Sequence, residues 1–339
     1  MSVLIYGIAG ALILLVVWDA FITVLSTSGG GPLTNWWTQN IWGALLRIHR
    51  RRSIHGILGL TGPAMLIGVI LLWYLLLSAG WYLIFAVHRD SVISNSTGAA
   101  TDLMQKFYFI GTTLSSVGYG DYVPSTFPWT LISNLASLTA TLVITTALSY
   151  FLPVLSAGIE RKQTAEAIFG VGQCTDEFIE AAWVGRSRGT LDNYILNSVL
   201  SRVDQLSHRH LAYPILHFFH SPSPDKSTSR AILLLSDSIF LVGKGTNIED
   251  RPPASLLRLA ERTIDNYVDL TDSGVASPED GNSDEFPDSL SLEVLKNHDL
   301  KVVSDKEFQA ATAEYLPKRK RLIMLCDMDG WGIDDDQRC

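Results

Sequence analysis

The stretch Thr112-Thr113-Leu114-Ser115-Ser116-Val117-Gly118-Tyr119-Gly120-Asp121-Tyr122-Val123-Pro124 decides how this chain is read. It lies between two long apolar runs, Ile57 to Val87 and Trp129 to about Leu155, each long enough to cross a bilayer core of about 30 Å. Directly before it, Leu103 to Leu114 is apolar but too short to cross. Non-helical backbone at membrane depth survives only where it is buried in protein or lines a water-filled cavity. The pattern predicts an all-α membrane fold with a re-entrant segment: outer helix, short helix, extended strand, inner helix.

Working outward, the chain divides by charge. Of 26 Lys/Arg and 34 Asp/Glu, the residues up to Ile159 hold six and four, and those from Glu160 hold twenty and thirty. The net charges are therefore +2 and −10. Runs of about 20 apolar residues occur only in the first part, so the second is expected to be aqueous. Its acidity speaks against nucleic acid as a partner. Cys174, Cys326 and Cys339 lie in that polar part with no CxxC or metal-finger spacing, which suits free thiols in a reducing cytosol.

A first apolar run, Val3 to Leu25, has one charge, Asp19, and no basic residue before it, so it reads as a retained span rather than a cleaved signal. After the break Gly29 to Pro32, Leu33 to Arg52 reads as an interfacial amphipathic helix, with Leu33, Trp37, Ile41, Ala44 and Ile48 on its apolar face and arginines at its end. Those arginines before the second span, and Arg161-Lys162 after the third, put both ends on the cytoplasmic side. The amino terminus is then outside. The domains expected are 1–52 (span and amphipathic helix), 53–159 (pore) and 160–339 (helical, cytoplasmic).

The glycines carry the chemistry. Gly118 and Gly120 can take positive φ without a Cβ penalty, so successive carbonyls can face one axis instead of alternating. Carbonyls so aligned, from several chains, can replace the water shell of K+. Val117 and Tyr119 would then point away and pack against the short helix, and Ser116 would add its hydroxyl at the inner end.

On these residues, Ile57 to Gly158 resembles the pore module of bacterial two-transmembrane potassium channels. With its extra first span around Asp19 to Leu25, the chain also resembles a bacterial family described as potassium or ion channel proteins. The resemblance implies a homotetramer, one filter strand per chain, that conducts K+ passively, with Ser116, Val117, Gly118, Tyr119 and Gly120 as the ion-binding filter. It implies a location in a bacterial inner membrane; no organic cofactor is expected, and no Ser/His/Asp, carboxylate-pair or phosphate-loop pattern recommends an enzyme. The sequence departs from the family at Ser116, where threonine is usual, and at Thr112, where some relatives carry a glutamate paired behind the filter with Asp121; Tyr108 is placed to reach Asp121 instead. Ala140 stands where relatives carry a glycine hinge, and Pro153, which removes a helical hydrogen bond, is the second gate candidate. The alternative is a membrane-anchored sensor or scaffold with a non-conducting pore.

No apolar helix carries basic residues at every third position, so voltage sensing is not expected. The cytoplasmic part shows helical spacing over Leu191–Leu206, Ser229–Val242, Pro253–Leu270, Leu290–Leu295 and Glu307–Tyr315, and no nucleotide-binding GxGxxG. His208, His210, His217 and His220 read most simply as packed or solvated side chains; the pair His217 and His220 could instead share a helix face to bind metal or sense pH. The acidic stretch from Asp269 to Asp288 reads as a mobile loop, Lys318 to Arg321 as a surface patch, and Asp327 to Asp336 as a solvated tail.

Overall fold

The computed structural model describes residues 1–26, 29–49, 51–52, 54–184, 194–272 and 290–331. The protein is an all-α membrane protein with three helices long and apolar enough to cross a membrane: α1 (Ser2–Leu25), α3 (His55–Val87) and α5 (Trp129–Phe169). Between them lie α2 (Pro32–His49) and the short α4 (Leu103–Leu114). By internal contacts the chain forms two compact units, Met1–Ile41 with Pro63–Pro153, and Trp42–Gly62 with Val154–Cys339. Each division within a long helix falls at a proline, Pro63 in α3 and Pro153 in α5, where the missing N–H breaks the hydrogen-bond ladder.

In the first unit, lipid supplies no hydrophobic drive for helix association, so close packing must hold the spans together. Buried α3 residues recur every fourth position, Val69, Trp73, Leu77, Trp81 and Phe85. On α5 the buried stripe Ser133, Ala136, Ala140, Val143, Ala147 and Tyr150 alternates steps of three and four, mostly with small side chains that allow close approach. Trp81 Nε1 donates to Thr139 Oγ1 at 2.9 Å. On α3, a Cβ at Gly80 would sit 2.8 Å from the Ile13 side chain of α1, so glycine permits that contact.

Asp19, the lone charge of the first span, is fully buried. Its carboxylate accepts from Leu33 N at 2.7 Å, Thr34 Oγ1 at 2.7 Å, Thr34 N at 3.3 Å and Trp73 Nε1 at 2.8 Å. It therefore satisfies the orphan donors at the start of α2 and ties α1 to α3. The buried face of α2 is offset from the one its apolar spacing predicts: Thr34 and Thr38 are buried, Leu33, Trp37 and Ile41 are half-buried, and Ala44 and Ile48 are exposed.

The second unit is helical, with α6 (Thr175–Trp183), α7 (Leu200–Ala212), α8 (Thr228–Phe240), α9 (Ala254–Asp272), α10 (Glu293–Asn297) and α11 (Asp305–Met328). α8 is buried on all sides except at Arg230, as a central helix must be. Its Asp237 accepts from Tyr315 Oη at 2.7 Å and Arg319 Nε at 3.1 Å. Burial raises the Asp237 carboxyl, and Arg319 and Tyr315 oppose that.

Several sequence expectations change here. The third long helix does not stop near Leu155; it runs to Phe169, because Ala157, Arg161, Thr164, Ala165 and Ile168 give it a buried face beyond the apolar run. Arg319, read as surface, is buried against Asp237, and α11 continues through Pro317 to Met328. Asp329, read as a solvated tail, is buried and accepts from Arg161 at 2.6 Å, Ser229 at 2.8 Å and Ser227 at 3.1 Å. Cys326 is free and buried. Most of the acidic stretch to Asp288, and Asp334 to Asp336, lie outside the described residues.

The histidines also separate. His217 packs on His210 with ring centroids 5.0 Å apart, while His220 faces elsewhere. Burial lowers both His210 and His217, the latter to about 4, and the Arg161 charge adds to the effect. Folded protein thus binds fewer protons than unfolded between pH 6.5 and about 4, so stability should fall as pH drops through that window. His217 keeps part of its surface in solvent, so its share is on the order of 2 kcal/mol. Acid unfolding of the full chain, followed by tryptophan fluorescence, should shift to lower pH in His217→Phe; an unchanged midpoint would contradict this assignment.

Candidate ion-conducting site

α4 starts where it does because Asp102 caps it: Gln105 N donates to Asp102 Oδ1 at 2.8 Å, and the Gln105 side chain accepts from Asp102 N at 3.0 Å. This reciprocal capping box fixes the first turn of a 12-residue helix. Lys106, on the inner side of α4, is buried, and its ammonium donates to the carbonyls of Phe85, at 3.1 Å, and His88. A cation there complements the negative end of α3 and locks α4 to it. Sequence reading passed over Lys106, although it is the one basic residue in an otherwise apolar short helix.

At the other end the chain leaves the helix in steps. Ser115 N donates to Gly111 O and Ser116 N to Thr113 O; Val117 N and Gly118 N both donate to Thr112 O at 3.1 Å. Ser116, Gly118 and Gly120 then take φ of +58°, +57° and +80°. Positive φ at every second residue turns alternate peptide planes over, which is how neighbouring carbonyls come to point the same way. Ser116 does this without being glycine, a local cost of about 1–2 kcal/mol that no sequence pattern signals.

Side chains brace this segment from α4. Tyr108 Oη donates to Asp121 Oδ2 at 3.0 Å, and the Tyr108 ring lies parallel to Tyr119 with centroids 6.5 Å apart. Thr112 donates to Phe109 O, within its own helix. Two short strands, β1 (Val92–Ser94) and β2 (Tyr122–Pro124), pair antiparallel with Val92 opposite Pro124 and Ser94 opposite Tyr122. Asn95 N donates to Asp121 O at 2.9 Å, so the segment is tied down at its outer end as well.

Within one chain, Ser115 to Tyr119 are exposed. On α5, Asn134, Thr141, Thr145 and Ser149 form an exposed polar stripe on the face opposite the buried Ser133-to-Tyr150 stripe. Ala140 belongs to the buried stripe and Pro153 lies inside the helix.

With that geometry in place, comparison with known proteins is direct. Residues 65–157 match a family model described as an ion channel. This is a membrane protein with an ion-channel domain. The match takes in α4, the braced segment and most of α5 down to Ala157. The chain is also 25% identical, over 320 residues, to an uncharacterized membrane protein of Bacillus subtilis (strain 168), YdjJ, covering 94% of this chain and 92% of that one. No solved structure matches at a significant level.

Proposed function

We propose that the chain is one subunit of a homotetrameric, K+-selective channel, with Ser116 to Gly120 as its filter and K+ as the permeant ion. The reading rests chiefly on one observation: positive φ at Ser116, Gly118 and Gly120, immediately after the carboxyl end of a short membrane helix. Carbonyls aligned on one side of a strand can replace the hydration shell of a cation only if other strands supply the remaining oxygens. The exposure of Ser115 to Tyr119 in a single chain leaves that side open for symmetry-related copies. Fourfold repetition is the arrangement the resemblance implies.

The polar stripe of α5 supports the same reading, since hydroxyls and an amide on an exposed membrane-helix face call for water rather than lipid. Asp121 and Tyr108 would hold the outer end of the filter, and Ala140 and Pro153 remain gate candidates on α5. The amino terminus is placed outside and the second unit in the cytoplasm, with regulation assigned to the latter.

Purified full chain in liposomes tests this. Barium-sensitive K+ uptake that exceeds Na+ uptake is the expected result. Its absence under all ionic and pH conditions would favour a membrane-anchored sensor with a non-conducting pore.

A further inference from the structure

Three histidines distant in sequence meet in the second unit. His49 ends α2, His55 begins α3, and His220 follows the turn Pro214–Phe218. His55 Nδ1 lies 3.1 Å from His220 Nε2. His220 Nδ1 is 2.5 Å from Asp329 O, and because a carbonyl only accepts, that nitrogen carries a proton. Neutral His220 therefore offers a bare Nε2, and His55 Nδ1 donates to it. His49 accepts from Ile54 N at 3.1 Å through Nδ1 and donates through Nε2 to Gly330 O at 3.2 Å. Trp331 stacks on His55 at 4.1 Å and on His220 at 5.5 Å.

This network is complete with all three rings neutral. One added proton can be held between His55 and His220. A second cannot, because Nδ1–H would then face Nε2–H.

The groups around the pair act in opposite senses. The Asp329 carbonyl and carboxylate favour a charge on His220, although the carboxylate is also engaged by Arg161, Ser227 and Ser229. Arg161 and His49 oppose a further positive charge, and Arg230 lies over the Trp331 ring. Burial is the largest influence on His220 and lowers it.

What the pair holds in place is the segment 216–222. Arg161 donates to Leu216 O at 2.8 Å and also to Phe219 O. One edge of the Phe219 ring lies against Gly62 of α3 and the other against Gly158 of α5: a Cβ at Gly62 would be 2.6 Å from the ring, and one at Gly158 2.8 Å. Pro222 rests against Gly59. The ring thus occupies the space between the outer and inner helices, next to Pro63 and five residues beyond Pro153.

We propose that His55 and His220 form a proton-binding site whose second protonation separates the two rings and withdraws Phe219 from between Gly62 and Gly158. Acid on the side of the second unit then frees the first turns of α3 and the part of α5 just beyond Pro153. The consequence for conduction, opening on acidification, rests on the channel reading above.

His55→Asn keeps a donor at the Nδ1 position and His220→Gln keeps a polar partner at Nε2, yet neither titrates. In liposomes, wild-type K+ flux should rise about tenfold as the pH on that side falls from about 7.5 to about 5, and change less than about twofold in either variant. Should one variant fail to fold, the other carries the comparison; a wild-type profile in a folded variant overturns the proposal. His217, at about 4, titrates below this window.

Nitrogen-15 histidine spectra of the full chain in bilayers give a readout without conduction. They should show the His55–His220 hydrogen bond at about pH 7.5 and its loss by about pH 5, together with loss of the Phe219–Gly158 contact. This transition without flux at any pH would retain the proton site and sink the channel reading. Selective flux with two independently protonating rings and Phe219 unmoved would do the reverse.

Discussion

Gly118→Ala chains are expected to insert and assemble as wild type does and to pass no K+-selective current. Gly118 sits at φ +57° with nothing within 4 Å of where a Cβ would stand, so the obstacle is conformation and not space within the chain. An L-residue held in that region costs about 1–2 kcal/mol. Four copies around one axis would raise this to about 4–8 kcal/mol, since every strand must adopt the conformation together. Relaxing to negative φ turns one ring of carbonyls away from the axis and leaves the ion partly unsolvated. Flux should fall about 1,000-fold or more, which corresponds to about 4 kcal/mol at the lower end of that range. Preserved K+ selectivity in assembled Gly118→Ala would remove Gly118 from the filter.

Asp19→Ala is expected to give the largest loss of stability in the membrane part of the chain. It leaves Leu33 N, Thr34 N, Thr34 Oγ1 and Trp73 Nε1 without their acceptor in a fully buried site. Each orphaned donor costs about 1–3 kcal/mol, and after partial relaxation the total should be about 3–5 kcal/mol. Asp19→Asn, which keeps one acceptor oxygen, should cost roughly half as much. Gly31→Ala offers an independent check, because its Cβ would collide with the Asp19 carboxylate. Thermal unfolding in detergent measures all three, and a change below about 1 kcal/mol for Asp19→Ala would show that the carboxylate does not hold α1, α2 and α3 together.

Much of this architecture is local in origin and therefore readable. Leu103 to Leu114 is bounded by a capping aspartate and a run of serines, and the helix has those limits. The three spans follow from hydropathy, which acts residue by residue along the chain. What could not be read depends on partners far away in sequence. His220 meets His55 across 165 positions, Arg161 meets Asp329 across 168, and Arg319 meets Asp237 across 82. A charged residue in a polar stretch looks solvated until its counterion is known, so Arg319 and Asp329 read as surface and tail. α5 outruns its apolar stretch for a related reason: its last turns are buried by the second unit's own helices, not by lipid. In the candidate site, Gly118 and Gly120 advertise positive φ by their identity. Ser116 gives no such sign, because the constraint on it comes from the hydrogen bonds at Thr112 and Thr113; Lys106 stands out as the one basic residue of its helix, but its acceptors, the Phe85 and His88 carbonyls, lie far back in the chain.

The central claim is that Ser116 to Gly120 select K+ as the permeant ion. It is tested most directly by the reversal potential of purified wild-type protein in a planar bilayer, with K+ on one side and Na+ at equal concentration on the other. The account predicts a current whose reversal potential lies far from zero, in the direction that opposes K+ leaving its own side, and that disappears in Gly118→Ala. A current reversing near zero, or carried equally by Na+, would contradict it.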